Sequence, residues 1–276
     1  MLVKVWVNGE LLDASDAQVA IFDHGLTVGD GVFEAVKVIG GVPFAITRHL
    51  RRLRRSALGL GLGEPELAEI RSGVAEVVES AGRPARARIR ITVTGGHSPL
   101  GSERGAGPRT AVVALEELGP AAPIGDVVVV PWSRNEHGAL AGLKTTSYAE
   151  NVRALGYARE RGALEAIFGN TAGNLCEGTG TNVFLVTAGT LVTPPLSAGC
   201  LAGVTRGLVL EWYGGEERDV PLGALAAADE AFLTSTMRDL QAIRGVDGKL
   251  LPAAPGPVTR KAAEVFAQRA AENPDP

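Results

Sequence analysis

Val32 to Leu60, VFEAVKVIGGVPFAITRHLRRLRRSALGL, is the stretch whose reading decides the fold class. Val32 to Ile39 is rich in β-branched residues and reads as a strand. Gly40-Gly41 turns it, and Val42 to Ala45 starts a second strand. Thr47 then stands where a helix N-cap is wanted, and Ile46, Leu50, Leu53, Ala57 and Leu60 fall on one helical face through Leu60. Strand, tight turn, strand and helix in one run is hairpin chemistry followed by a covering helix, not a βαβ unit. Arg51, Arg52, Arg54 and Arg55 fall mostly on the opposite helix face and read as solvated charge. Net charge is −4, so a nucleic-acid binder resting on bulk positive charge is excluded.

The same pattern continues in both directions. Val3 to Val7 alternates, Asn8-Gly9 is a hairpin signal, and Glu10 to Leu12 returns. Glu66 to Ala81 carries a helical period through Leu67, Ile70, Val74 and Val77. Arg86 to Thr94 alternates strictly, with Arg86, Arg88 and Arg90 on one face and Ala87, Ile89 and Ile91 on the other. Gly95 to Arg109 is a long Gly, Ser and Pro-rich loop, which in a compact domain suggests a function or a lid. Thr110 to Leu115 is a strand. The second half reads as strand (Val127 to Val130), helix (Thr146 to Arg161), three strands (Glu165 to Phe168, Asn182 to Val186, Thr190 to Val192), helix (Gly203 to Tyr213), strand (Ala231 to Ser235) and closing helix (Thr259 to Ala271). Hairpin-linked strands between helices predict an α+β fold with mixed sheets. The 276 residues suit two medium domains. The expected division is a smaller N-terminal domain over residues 1–118, a linker over 119–125 (GPAAPIG) and a larger C-terminal domain over 126–276.

Composition narrows the function. No run of 18 apolar residues is present, which excludes a membrane-spanning helix, and the first ten residues lack a signal-peptide layout. Cys176 and Cys200 match no zinc spacing and read as buried free thiols in a reducing cytoplasm. His24, His49, His97 and His137 form no metal-ligand pattern, so no metal is expected. Among 27 basic residues only Lys4, Lys37, Lys144, Lys249 and Lys261 are lysine. Amine chemistry therefore has few candidates.

Four segments carry chemistry. Gly29-Asp30-Gly31-Val32-Phe33-Glu34 is followed by Arg48 near a helix start, where a guanidinium can grip a phosphate. Lys144 lies in Leu143-Lys144-Thr145-Thr146-Ser147-Tyr148, after an apolar strand and before a helix. Glu177 stands in Asn174-Leu175-Cys176-Glu177-Gly178-Thr179-Gly180-Thr181-Asn182, an odd place for a carboxylate unless something binds it. Leu201-Ala202-Gly203-Val204-Thr205-Arg206 leads into a helix whose first N–H groups can bind an anion, and Thr234-Ser235-Thr236 adds hydroxyls. A phosphate cradle, one lysine and one turn acid are the parts that hold pyridoxal phosphate. Neither a Walker pattern nor a dinucleotide fingerprint is present, which excludes a nucleotide-binding reading.

With these motifs in this order, the chain resembles the class IV aminotransferases, fold-type IV pyridoxal-phosphate enzymes, nearly end to end. The resemblance implies a two-domain α+β fold, a smaller N-terminal α/β sandwich and a larger C-terminal mixed β barrel-like domain. The cofactor, pyridoxal 5′-phosphate, would lie in the crevice between them. Lys144 resembles the family lysine that forms the Schiff base and then serves as general base. Glu177 looks like the carboxylate that keeps the pyridine nitrogen protonated. Arg48, Thr205, Ser235 and Thr236 look like phosphate-side residues, with Val204 and Thr205 supplying helix-start N–H groups. Tyr148 would bond the phenolic oxygen and Leu201 would back the ring. Substrate carboxylates would be held by Arg88, Arg90 or Arg238, each of which also suits a structural ion pair. Leu26 stands where D-amino-acid transaminases often carry Tyr, and the segment Thr94-Gly95-Gly96-His97 lacks their Arg-x-His pair. The resemblance implies transamination between a D-amino acid, or an (R)-amine, and a 2-oxo acid. Aminodeoxychorismate lyase is the alternative and branched-chain L-amino-acid transamination the second. A cytoplasmic homodimer without nucleic-acid or membrane partners is expected. A non-catalytic ligand-binding module on the same scaffold is the reading from a different class.

Overall fold

The computed structural model describes residues 4–276; Val3, where the sequence reading begins the first strand, lies outside them. The chain forms two compact units. The first comprises residues 1–120, 143–148 and 274–276, and the second residues 121–142 and 149–273. The expected division cuts the chain at one place. These units do not, because a six-residue stretch around Lys144 and the last three residues join the first.

The first unit is a six-stranded sheet, ordered β2-β1-β6-β5-β3-β4 and covered by two helices. Its strands are β1 (Lys4–Val7), β2 (Glu10–Asp13), β3 (Gly31–Ile39), β4 (Val42–Pro43), β5 (Arg86–Thr94) and β6 (Thr110–Glu117). A single turn, α1 (His24–Thr27), precedes β3; α2 (Ile46–Gly59) and α3 (Leu67–Ser80) cover the sheet. Register explains the two faces. Val32, Val36 and Val38 oppose Val93, Ile89 and Ala87, all buried against Leu50, Leu53, Ile70 and Val74 of the helices. The other face carries Phe33, Ala35 and Lys37 opposite Thr92, Arg90 and Arg88. A Leu53→Ala change in this core would cost roughly 2–5 kcal/mol.

Thr47 is not the cap of α2. Ala45 holds that position with φ 53° and no side-chain cap. Asp275 caps the helix from the other end of the chain, accepting from Thr47 N–H (2.8 Å) and Thr47 Oγ1–H (2.6 Å). A cap supplied from 228 residues away leaves no local pattern.

The second unit is a nine-stranded mixed sheet with helices α4 (Ala149–Arg159), α5 (Val204–Trp212) and α6 (Pro257–Glu272). Its strands are β7 (Ile124–Arg134), β8 (Glu165–Asn170), β9 (Leu175–Gly178), β10 (Asn182–Thr187), β11 (Thr190–Thr193), β12 (Glu216–Glu217), β13 (Glu230–Ser235), β14 (Asp239–Val246) and β15 (Lys249–Leu250). β14 pairs parallel with β7, and β7 parallel with β8; most other neighbours run antiparallel. The sequence reading misses β9 and β14, since Glu177, Asp239 and Arg244 interrupt any apolar alternation. It also begins α4 three residues early. Thr146 to Tyr148 is drawn instead to the first unit, where Thr146 N–H reaches the Gly31 carbonyl at 2.8 Å. Among the described residues, no helix is long and apolar enough to cross a membrane.

Candidate active site

In the first unit the functional side chains gather around Phe33. The segment carrying Lys144 lies along the start of β3: Phe33 N–H donates to the Lys144 carbonyl (3.0 Å) and Val32 bridges Thr145. Lys144 N–H donates to Ser56 Oγ of α2 at 3.1 Å. These bonds place Lys144 Nζ 4.2 Å from the centre of the Phe33 ring. The Tyr148 ring meets Phe33 edge-on, centroids 5.2 Å apart, and the Arg90 guanidinium lies 3.5 Å from the same ring centre. The structure thus brings Lys144, Tyr148 and Arg90 together around one aromatic ring. Phe33 was quoted only as part of a motif, and its role shows once register puts it on the Arg90 face.

Behind this group lies a buried ionic cluster that the sequence reading misses. Glu34 falls on the helix-facing side of β3 and is fully buried. Arg52 grips its two oxygens at 2.7 Å each, and His49 Nδ1 approaches at 2.7 Å. Burial alone would push the Glu34 carboxyl up, but the Arg52 charge and hydrogen bonds, with His49, hold it far below the carboxylate range. Burial pushes His49 down, so its neutral ring donates from Nδ1. Arg52 therefore leaves the solvated helix face to which its run of arginines was assigned. The available signal was the alternation of β3, which turns Glu34 inward and demands a cation opposite. Arg48 lies elsewhere: its Nε donates to the Pro276 carbonyl at 2.9 Å. Leu26 is exposed on α1, and Arg88 pairs with its cross-strand neighbour Glu116 at 3.5 Å.

The second unit holds the other set. Glu177, on β9, accepts from Leu201 N–H at 2.9 Å, and Arg134 Nε stands 3.9 Å from its second oxygen. Asn182 of β10 donates to the Leu201 carbonyl at 2.8 Å and ties the segment before α5 to the same strands. Gly203 is the N-cap of α5, extended at φ −63°, ψ 136°, and no side chain caps the helix. A Cβ there would sit 2.0 Å from Asn182 Oδ1, so only glycine lets the helix start this close. Thr205 is buried at this start, and the Thr234 hydroxyl, cross-strand from Asn182, is buried without a partner. Ser235 and Thr236 are half-buried at the end of β13. Arg238 donates to the buried Glu165 (3.1 Å) and to Gln241 (3.2 Å). Glu165, read in the sequence only as the start of a strand, also receives Thr179 N–H at 3.2 Å and so steadies the glycine-rich turn after Glu177. Cys176 and Cys200 are free and buried; burial pushes both thiols up, Cys200 to about 12.

Comparison with known proteins names the family. Residues 31–246 match the profile of the amino-transferase class IV family. A Methanocaldococcus jannaschii protein, provisionally named a branched-chain-amino-acid aminotransferase, is 32% identical over 96% of this chain and 95% of its own. The D-alanine aminotransferase of Bacillus licheniformis is 31% identical over 94% of each chain. The crystal structure of a branched-chain aminotransferase from Thermoproteus uzoniensis with norvaline superposes with a TM-score of 0.91, at 31% identity over 97% of this chain and 94% of that one. The chain belongs to the class IV aminotransferases, a family of pyridoxal-phosphate-dependent enzymes. Its residues fit that cofactor. An uncapped helix start, the Thr205 side chain and an unpartnered Thr234 hydroxyl suit a phosphate, a held carboxylate suits a protonated ring nitrogen, and one lysine suits a carbonyl.

Proposed function

We propose that this enzyme is a transaminase moving an amino group between a D-amino acid and a 2-oxo acid, with Arg90 holding a substrate carboxylate. The similarity to the Bacillus licheniformis D-alanine aminotransferase supports the D-amino-acid reading, and one observation carries the assignment of Arg90. Of the three arginines expected to bind substrate, Arg88 pairs with Glu116 and Arg238 with Glu165, while Arg90 lies on the ring that Lys144 also approaches. Burial lowers the Arg90 pKa, since desolvation disfavours the charged guanidinium, and its Nε donates to Thr92 Oγ1 at 3.2 Å.

When bound, pyridoxal phosphate supplies an electrophilic carbonyl carbon and an electron-accepting ring. Lys144 would hold the group through its amine and would serve as the base that takes the proton from the substrate Cα. Glu177 keeps a proton on the ring nitrogen, held in place by Leu201 N–H. Val204 and Thr205 at the start of α5, with Ser235 and Thr236, hold the phosphate; Leu201 backs the ring. The Arg48 guanidinium, expected on the phosphate side, is turned to the Pro276 carbonyl, and that of Arg52 to Glu34. Tyr148 orients the cofactor's phenolic oxygen. Borohydride reduction and peptide mapping test the lysine: the cofactor's mass belongs on the Lys144 peptide, and its appearance elsewhere refutes the assignment.

Branched-chain L-amino-acid transamination is a second reading, favoured by the similarity to the Thermoproteus uzoniensis enzyme over 97% of this chain. D-alanine, L-leucine, an (R)-amine and aminodeoxychorismate, each with and without 2-oxoglutarate, separate the choices. Turnover of L-leucine alone sinks the D-amino-acid reading, and 4-aminobenzoate release without a 2-oxo acid makes the enzyme a lyase. Exposed apolar residues at Val19, Ile21, Phe22, Leu26 and Val28 support a homodimer, which sedimentation tests. Two free buried thiols suit a reducing cytoplasm.

A further inference from the structure

Asp30, between two glycines at the start of β3, joins the long loop to the lysine-bearing segment. On the loop side its carboxylate accepts from Arg104 Nε (2.7 Å), Arg104 Nη2 (2.6 Å) and His24 Nδ1 (2.8 Å). Its own carbonyl accepts from Gly95 N–H at 2.9 Å. Arg104 continues to the Leu60 carbonyl at 3.1 Å and to that of Gly61, and His24 Nε2 lies 3.0 Å from the Gly101 carbonyl. The loop over residues 95–109 is thereby tied down at its start and in its middle. On the other side, the flanking carbonyls hold the lysine segment. Gly29 accepts from Thr146 Oγ1 (2.9 Å) and Ser147 Oγ (3.0 Å), and Gly31 from Thr146 N–H (2.8 Å). The turn has little slack. Gly29 sits at φ +71°, and a Cβ there would meet Ser147 Oγ at 2.9 Å.

The chemistry of His24 follows from its partners. Nδ1 faces a carboxylate oxygen and Nε2 faces a backbone carbonyl oxygen; neither group can donate. Asp30 does not carry the proton, because the Arg104 fork holds its carboxyl below the ordinary range. Both ring nitrogens must therefore donate, and the ring is an imidazolium. A neutral ring satisfies only one of the two acceptors.

We propose that Asp30 is a positioning residue for the segment bearing Lys144, and that protonated His24 tightens its hold on that segment and the loop. The direction is set by the hydrogen bond to Asp30 first and the Gly101 carbonyl second, which raise His24 above its ordinary 6.5. The raised value means the latch is fully closed below about pH 6.5 and is lost as pH rises through the folded-state value. The charged groups around it are Asp30, which favours the cation, and Arg104, which opposes it. Asp23 is engaged by Gly25 N–H, Thr94 and Thr110; the His97 backbone bridges it, and Arg109 is turned to the Gly95 and Leu62 carbonyls. Deprotonation leaves either Asp30 or Gly101 without its donor, which loosens the loop and weakens the hold on the turn behind Thr146 and Ser147.

The proposal uses Lys144 as the reactive lysine, but its test reads structure rather than turnover. On the purified holoenzyme, the His Cε1 resonances are titrated by NMR, with H24Q identifying the His24 signal. Hydrogen exchange is followed in residues 96–107 and 144–148 across the same pH range, corrected for intrinsic rates and referred to the amides of β5. His24 is expected to titrate above 6.5, with protection of both segments falling together, about tenfold, as pH passes that value. H24Q and D30N are expected to show low, pH-independent protection in both. A His24 titration at or below 6.5, or a loop that loosens while residues 144–148 do not, overturns the proposal. Should borohydride mapping exclude Lys144 instead, these readouts still decide whether the latch exists.

Discussion

Replacing Arg52 with Met should destabilise the first unit by about 3–5 kcal/mol near pH 8, the cost of stranding a buried charge. The magnitude follows from the contacts. Glu34 is fully buried, and Arg52 supplies two of the three 2.7 Å hydrogen bonds to its carboxylate. Each charge-assisted bond of this kind contributes roughly 1.5–3 kcal/mol. His49 is a poor substitute, because burial keeps its ring neutral. The variant has one escape, which is to protonate Glu34. In the wild type the Glu34 value is depressed, so its contribution is present above the unfolded value of 4.5 and constant between pH 5 and 8. In the variant burial is opposed by His49 alone and the folded value rises, so stability is higher at low pH and falls as pH increases through it. Hydrogen exchange of the Ile89 and Ile91 amides in urea, on cofactor-free protein, reads the first unit without ligand linkage. The double change E34M with R52M should recover most of the loss. A single variant costing under about 1 kcal/mol at both pH values, or a double variant worse than the single, would refute the reasoning.

Gly203→Ala should weaken cofactor binding, because the new Cβ falls 2.0 Å from Asn182 Oδ1 and displaces the side chain that fixes Leu201; a fluorescence titration with pyridoxal phosphate measures it. Arg90→Ala should raise KM for the 2-oxo acid about 10- to 100-fold, the equivalent of roughly 1.5–3 kcal/mol of charge-assisted bonding. Arg238→Ala should leave KM nearly unchanged and lower the melting temperature instead, because Arg238 is paired with the buried Glu165; a KM effect larger than that of Arg90→Ala reverses the two roles. Cys176 and Cys200 should resist iodoacetamide at pH 8 in the folded enzyme and react fully in urea, since burial holds both as thiols. Rapid labelling of either without denaturant would contradict the buried placement.

Local pattern reaches some features and not others. The strand Arg86–Thr94 forms over the residues its alternation marks, α3 lies within a residue of its expected bounds, and α2 has its cap two residues before the expected one. Lys144, Glu177 and the Gly203-Val204-Thr205 start were singled out because rare residue types stand in glycine-rich or element-end settings. Glu165 and Asn182 were not, since a buried carboxylate in an apolar strand and an Asn after a turn each carry an ordinary local signal. Their importance lies in partners 14 to 73 residues away for Glu165 and 19 residues away for Asn182. Arg48 and Arg52 show the same limit. Four residues apart on one helix, they look alike in sequence, yet one meets the C-terminal carbonyl and the other a buried glutamate.

By itself, the sequence determined what depends on near neighbours and residue type: the α+β class, the order of elements, the single well-placed lysine and the family. Alternation, turn residues and motif order are local quantities, so one dimension suffices to read them. Tertiary structure alone decided that residues 143–148 join the first unit, that Phe33 collects Lys144, Tyr148 and Arg90, and that His24 meets an oxygen at each ring nitrogen. Each of these rests on which donor faces which acceptor across tens of residues. Desolvation and charge pairing act on that spatial arrangement, and the chain settles it only by folding.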